Sequence, residues 1–228
     1  MRLNRMGRPL AAMVAVVSMS ACGDGGVVES FTPEQLGDAL LTAQELGSGW
    51  SQTQRDVFTA REVENPSIDS SLWCDAAADD DASMQVLAGQ AGADAEFEFA
   101  LQGDVNRGMR VQAWNNADAK EYFETLGSAY DRCNGETWND GEGSSYTVSP
   151  ADGPDGGDES LHWAVRIETT DGSNAIWNSR QTAVRLGNTI LVMQLGDVAA
   201  GDSLEPLGDS EWADIVSAAV EKFESLSG

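Results

Sequence analysis

The fold class follows from residues 161–195, LHWAVRIETTDGSNAIWNSRQTAVRLGNTILVMQL. The turn dipeptides Asp171-Gly172 and Gly187-Asn188 separate three runs in which apolar and polar residues alternate. Alternation with a period of two is typical of half-buried strands, and such dipeptides between strands favour two-residue hairpin loops. The stretch therefore predicts three antiparallel strands joined by two tight hairpins.

The two loops also set a register, because each loop fixes which residues lie opposite one another. The predicted register pairs Trp163 with Arg180, and Val184 with Leu191. One sheet face is then apolar, and it holds Leu161, Trp163, Val165, Ile167, Ile176, Val184, Leu191, Met193 and Leu195. The other face is mixed, and it holds His162, Arg166, Glu168, Trp177, Gln181 and Arg185, with Ile190 and Val192 as apolar exceptions.

The rest of the chain adds strands and helices to this sheet. Residues 96–101 (EFEFAL) and 107–114 (RGMRVQAW) alternate as strands do, and Tyr146 and Val148 indicate another strand. Apolar residues recur every three or four positions from 119 to 133 and from 212 to 226, which predicts two amphipathic helices, the second capped by Ser210. Residues 75–94, rich in Ala and Asp, are predicted as loop or a marginal helix.

Short helices are expected where the folded part begins. Thr32 and Thr42 can each cap a helix, and Gly47 can end the second one. Together these elements predict a single α+β domain in which an antiparallel sheet is packed by amphipathic helices.

The first 30 residues indicate export. Arg2, Arg5 and Arg8 precede an apolar run of about a dozen residues, too short to cross a bilayer, which needs about 20. Met19-Ser20-Ala21-Cys22 resembles a bacterial lipobox, which implies cleavage before Cys22 and acylation of that cysteine. The sequence thus divides into a signal peptide (1–21), a flexible tether (22–31) and a domain (32–228). The alternative is an ordinary secretory signal with a spare thiol.

The charge and cysteines limit the partners. The net charge of −25 becomes −28 once residues 1–21, with three arginines and no acid, are removed. Such a surface repels nucleic acid, so we expect no nucleic-acid partner. We expect a monomer that is held at the membrane through lipidated Cys22. Cys74 and Cys133, in an oxidising location, predict a disulfide. Neither has a Cys or His neighbour at ligand spacing, so no metal or other cofactor is expected.

Ligand-binding candidates come from the mixed sheet face. Arg166, Trp177 and Arg185 share it in the predicted register, and basic residues are scarce in this chain. An arginine cluster can bind a carboxylate or phosphate, which makes a small anionic ligand a hypothesis. Cross-strand pairing of these arginines with acids is the alternative. Arg180, placed on the apolar face opposite Trp163, is a fourth candidate whose head would reach water or an acid.

No motif in the sequence indicates a catalytic or a calcium site. A nucleophile needs a neighbouring base, and His162 is the only histidine, placed within a strand. The acidic loop with Asp152, Asp155, Asp158 and Glu159 lacks the spacing of a calcium loop, so a solvated loop is the default. The chain is therefore not expected to be an enzyme, although a cell-envelope hydrolase stays an alternative.

Several stretches together resemble a known family. The lipobox, LLTAQELGSGW (40–50), the Cys74 segment, AYDRCNGETW (129–138) and the late hairpins resemble exported actinobacterial lipoproteins built like the extracellular sensor domain of PknH-type serine/threonine kinases. The resemblance implies a twisted antiparallel sheet with helices and a cleft for an unidentified ligand. It also implies two disulfides, of which only Cys74–Cys133 can be matched here. This chain has no kinase domain, so a signal would pass through a partner.

These observations favour a lipid-anchored, sensor-like binding module on the outer face of the cell membrane. It would recognise a small ligand or an envelope protein. The alternatives are a cell-envelope hydrolase and a structural lipoprotein without a ligand.

The anchor can be tested by replacing Cys22. The Cys22→Ala variant should keep its signal peptide and lose its membrane attachment, because acylation at Cys22 supplies the chains that hold the protein at the bilayer. Labelling with a fatty-acid analogue and fractionation of membranes measure both effects. Unchanged attachment of the variant would contradict the prediction.

Overall fold

A computed structural model describes residues 30–64, 86–99, 105–139, 143–169, 175–200 and 208–227. The helices are α1 (Pro33–Ala39), α2 (Ala43–Leu46), α3 (Ala119–Cys133) and α4 (Asp209–Glu224), with a 3-10 turn at Ser225–Ser227. The strands are β1 (Trp50–Glu64), β2 (Val86–Phe99), β3 (Val105–Asn115), β4 (Thr137–Asn139), β5 (Ser144–Pro150), β6 (Glu159–Thr169), β7 (Ala175–Leu186) and β8 (Thr189–Ala200). The signal peptide, Cys22 and Cys74 lie outside these ranges, so the lipid anchor and the disulfide stay predictions.

The eight strands form one antiparallel sheet in the order β1-β2-β3-β8-β7-β6-β5-β4. Helices α1 and α4 cover one face, called here the α4 face, and helix α3 covers part of the opposite face, called the α3 face. This arrangement confirms the predicted α+β class. Within the described ranges, no helix is long and apolar enough to cross a membrane.

Two separate cores result from this layering. The α4-face core includes Val111, Leu191, Met193 and residues of α4 such as Trp212. The α3-face core includes Trp114, Trp163, Ile190, Val192 and the inner side of α3. Ile190 and Leu191 are neighbours in β8 that point to opposite faces, and both are almost fully buried. The apolar exceptions of the predicted mixed face are therefore members of a second core.

The domain begins with two capped helices, as the sequence predicts. The Thr32 side chain accepts a hydrogen bond from the backbone of Gln35, and Thr42 does the same for Glu45. Gly47, with φ at 95°, ends α2. Phe31, assigned to the tether by the sequence, is instead buried, and its backbone exchanges hydrogen bonds with the Asn115 side chain. The domain thus includes Phe31.

Three sequence-based expectations about elements are incomplete or wrong. The segment predicted as loop or marginal helix forms strand from Val86 onwards, because β1 and β3 pair with it on both sides and its small residue Ala93 packs beneath α1. Strands β1 and β4 have no counterpart in the prediction. Ser210 lies inside α4, whose N-cap is Gly208, so its predicted capping role is wrong.

The register of the first hairpin also differs from the prediction. Trp163 pairs with Gln181, and Arg180 pairs with Ala164, a displacement of one residue. A two-residue loop at Asp171-Gly172 cannot produce this pairing, although residues 170–174 themselves lie outside the described ranges. The second hairpin keeps the predicted pairing of Val184 with Leu191.

Packing against α3 explains why the register of the first hairpin differs from the one that Asp171-Gly172 predicts. The observed register puts Trp163 and Val165 on the α3 face, where they join Val192 beneath α3. Trp163 lies against Tyr130 of α3, with 6.5 Å between ring centroids. A one-residue slip would turn every side chain of β7 to the other face relative to β6, so burial of these apolar groups decides the pairing.

Substitution of adjacent β8 residues tests the two-core arrangement. Ile190→Ala and Leu191→Ala should each lower the free energy of unfolding by about 2–5 kcal/mol, because each side chain fills a different core. Val57→Ala, in the edge strand where Val57 is 47% exposed, is the control and should cost far less. Chemical denaturation gives all three values. A nearly neutral effect of either β8 variant would mean that its face is solvated.

Candidate functional site

The sheet separates the arginines that the sequence predicts to be clustered. Arg166 lies on the α4 face, where its Nε is 2.6 Å from Glu168 Oε1. Arg185 lies on the α3 face, with Nη1 2.9 Å from Asp158 and Nε 2.7 Å from Glu159. The predicted grouping of Arg166 with Trp177 and Arg185 is therefore wrong. The one-residue displacement of the register between β6 and β7 places Arg166 on the opposite face of the sheet.

Arg180 also differs from its predicted surroundings. It lies on the α4 face, opposite in direction to Trp163, and its Nη2 is 2.7 Å from Asp209 in the first turn of α4. Its head does reach an acid, and this ion pair joins β7 to the start of α4. Arg166, Arg180 and Arg185 thus each pair with a carboxylate, which removes the basis for an anionic ligand held by an arginine cluster.

Trp177 is the predicted candidate that does lie in a groove. Its side chain is 43% exposed on the α3 face, beyond the end of the area covered by α3. The groove has a volume of about 470 Å³. Its lining comes from β1, β2, β3, β7 and β8, and includes Thr53, Glu96, Glu98, Gly108, Arg110, Trp177, Gln194 and Gly196. We call this groove the glycine trough.

Two glycines make the floor of the trough. Gly108 of β3 and Gly196 of β8 are direct cross-strand partners, so two adjacent strands carry no side chain at this point. Their neighbours in the same row are Glu98 and Ser179, whose Cα atoms are about 14 Å apart at ordinary strand spacing. A Cβ on Gly196 would lie 2.9 Å from Trp177 Nε1, so the indole rests directly over this glycine.

Polar side chains line the neighbouring row of the sheet. Arg110 lies 3.5 Å from Asp94 and 3.6 Å from Glu96 through its guanidinium nitrogens. With its amide oxygen turned toward Arg110, Gln112 accepts hydrogen bonds of 2.8 Å and 2.6 Å. Gln194 donates to Ser179 Oγ at 3.5 Å. The trough therefore combines an exposed aromatic ring, bare backbone and several hydrogen-bonding groups, which is the usual composition of a binding site.

A solved structure shares this architecture. The extracellular domain of PknH from Mycobacterium tuberculosis superposes with a TM-score of 0.51 at 15% identity, over 86% of this chain and 98% of that chain. This chain has the fold of the PknH extracellular domain. An Rv0999 ortholog from Mycobacterium smegmatis gives a TM-score of 0.44 at 13% identity, over 77% of this chain and 90% of that chain. No protein-family model matches the chain, and no curated protein matches it either.

The acidic loop of this PknH-like fold has a structural use. Asp158 and Glu159 bind Arg185, and the Asp158 carboxylate also accepts from the Gly187 backbone at 2.8 Å. Gly157 N donates to Glu224 of α4 at 2.6 Å. Among the described residues, no group of three His, Cys, Asp or Glu side chains could hold a metal ion. The loop thus ties the second hairpin to α4.

His162 lies beneath the same loop on the α4 face. Its Nδ1 is 2.9 Å from Thr182 Oγ1, and a Cβ on Gly153 would lie 2.2 Å from the ring. Burial lowers the pKa of His162, opposed by the Pro154 backbone carbonyl and the Asp155 carboxylate. The partner of Nδ1 is a threonine hydroxyl, so the arrangement differs from the carboxylate–histidine–serine geometry that a hydrolase needs.

Most residues of the trough were not predicted from the sequence. Glu96, Glu98 and Arg110 lie in runs that predict strands, but nothing in the local pattern marks them as site residues. Gly108 and Gly196 carried a usable signal, because glycine inside a strand often marks a place where another group approaches the backbone closely. Their pairing across β3 and β8, however, joins residues 88 positions apart in the chain.

The environment of His162 predicts a pH effect on stability. A lowered folded-state pKa means that the fold favours neutral imidazole, so the contribution is complete above the unfolded pKa of about 6.5 and is lost as the pH falls below it. His162→Gln, which cannot titrate, removes this term. The free energy of unfolding of the wild type minus that of His162→Gln should therefore decrease from pH 7.5 to pH 5. Denaturant titrations at both pH values measure it, and a constant difference would contradict the prediction.

Proposed function

We propose that this chain is an extracytoplasmic, sensor-like binding module, anchored through lipidated Cys22, that recognises its ligand in the glycine trough. The observation that carries the proposal is Trp177, a large aromatic side chain left 43% exposed over the bare backbone of Gly196. Exposed aromatic rings beside unfilled grooves are typical of recognition surfaces. The fold shared with the PknH extracellular domain supports a role outside the cytoplasm.

The structure of the trough favours binding over the alternatives. A structural lipoprotein gains nothing from paired glycines in the middle of a sheet, since glycine weakens a strand. A hydrolase requires a nucleophile beside a base, and His162 lies on the opposite face with Thr182 as its partner. The ligand in this proposal is a small molecule or a group on an envelope protein, and the module acts as a monomer that passes its signal to a partner.

Filling the trough should block recognition without unfolding the domain. A Cβ at Gly108 would have only Phe97 O within 4 Å, at 3.7 Å, so Gly108→Val adds its methyl groups mainly to open space. Valine also suits a strand. A ligand found by thermal shift among envelope metabolites should then bind Gly108→Val about tenfold more weakly or worse, as expected when a group overfills a site.

Gly127→Ala is the matched control for this test. A Cβ at Gly127, in the middle of α3, would have nothing within 4 Å, and alanine favours the helix. Both variants are made in the mature chain from residue 22 with Cys22→Ala. Ligands whose affinity is unchanged by Gly108→Val would contradict the trough as the site, and the absence of any ligand would favour a structural lipoprotein.

A further inference from the structure

We infer that the glycine trough receives a cationic nitrogen, an ammonium or alkylammonium group, in an inference that rests on the proposed function. The chemistry of the walls leads to this class. Two carboxylates, those of Glu96 and Glu98, line the trough, and its one guanidinium, that of Arg110, also lies 3.5 Å from the buried carboxylate of Asp94. The local charge therefore favours a positive ligand over a negative one.

The position of Arg110 leaves one carboxylate without a basic partner. Arg110 directs its nitrogens toward Asp94 and Glu96, at 3.5 Å and 3.6 Å. Within the described part of the chain, no Lys, Arg or His forms an ion pair with Glu98, which is exposed beside Gly108. A ligand cation can therefore pair with Glu98 without displacing an internal bond.

Trp177 supplies the second half of the site. Tryptophan is the best aromatic partner for a cation, through the negative potential of its ring face. Glu98 and Trp177 stand on either side of the two glycines, because Glu98 pairs with Gly108 and the Trp177 indole lies over Gly196. The indole covers Gly196, so the bare backbone between the two side chains is that of Gly108, which leaves room for a group to contact both. Aromatic and anionic contacts on one cationic group make the site selective for positive charge.

Choline and its uncharged isostere 3,3-dimethylbutan-1-ol are the probes that separate charge from shape. The mature full chain with Cys22→Ala is titrated with each probe, and the indole N–H resonance of Trp177 is followed by NMR, assigned from its loss in Trp177→Leu. Choline should shift this resonance and bind about tenfold more tightly than the isostere. Equal binding of the two probes would overturn the inference.

Two charge variants locate the interaction. Glu98→Gln should weaken choline binding about threefold or more, a loss within the range of an exposed ion pair. Glu168→Gln, which removes an exposed carboxylate from the α4 face, should leave it unchanged. Raising the salt from 0.01 M to 1 M should also weaken binding, since exposed charges are screened. Equal effects of the two variants would assign the binding to general acidity and overturn the inference.

A blocked tripeptide Gly-Lys-Gly, compared with Gly-norleucine-Gly, distinguishes the source of the cation. Tighter binding of the lysine peptide than of choline indicates a basic side chain of an envelope protein, and the reverse order indicates a small alkylammonium compound. Either order supports the inference, provided that the cation binds more tightly than its uncharged counterpart. If neither cation shifts Trp177 while neutral or anionic envelope metabolites bind and are lost in Gly108→Val, the cation is wrong and the proposed function stands. If nothing binds and Gly108→Val changes nothing, both fail.

Discussion

Burial of the central strands on both faces is the constraint on which the structure depends. β3 and β8 lie in the middle of the sheet, with α4 on one side and α3 on the other, so consecutive residues of β8 must both be apolar. A strand covered on both sides has a continuous apolar run, as in ILVM at residues 190–193, and not an alternation. The helices, the register of the first hairpin and the position of the trough all follow from this double coverage.

The trough lies beyond the part of the sheet face that α3 covers. α3 spans Ala119–Cys133, about 22 Å, whereas β8 alone has twelve residues, about 40 Å at ordinary strand rise. Beyond the helix the sheet face changes from apolar to polar, through Gln112, Gln194 and Gln181. The glycine pair lies one row further along, where the backbone itself becomes the surface. Incomplete coverage of a sheet thus leaves an open groove on a rigid base.

The scarce basic residues serve mostly to hold elements together in this acidic chain. Arg180 joins β7 to α4, Arg185 fixes the acidic loop, and Arg107 pairs with Asp197 between neighbouring strands. Lys222 of α4 donates to Leu40 O at 2.8 Å and to Glu45 at 2.9 Å, which ties α4 to the first two helices. Such internal pairs leave a surface with excess carboxylates, and this excess is the basis of the cationic ligand that we propose for the trough.

The sequence by itself determined the local elements: the N-caps at Thr32 and Thr42, the two long amphipathic helices, the strands around Phe97, Val111 and Tyr146, and the second hairpin. These follow from periodicity and turn chemistry within a few residues. Tertiary structure alone decided the first hairpin register, the strand character of 86–94 and the trough. Pairing on both sides makes an Ala- and Asp-rich segment a strand, packing under α3 overrides the Asp171-Gly172 signal, and Gly108 meets Gly196 only across β3 and β8. Which residues share a face depends on contacts between distant segments, and no local pattern encodes those contacts.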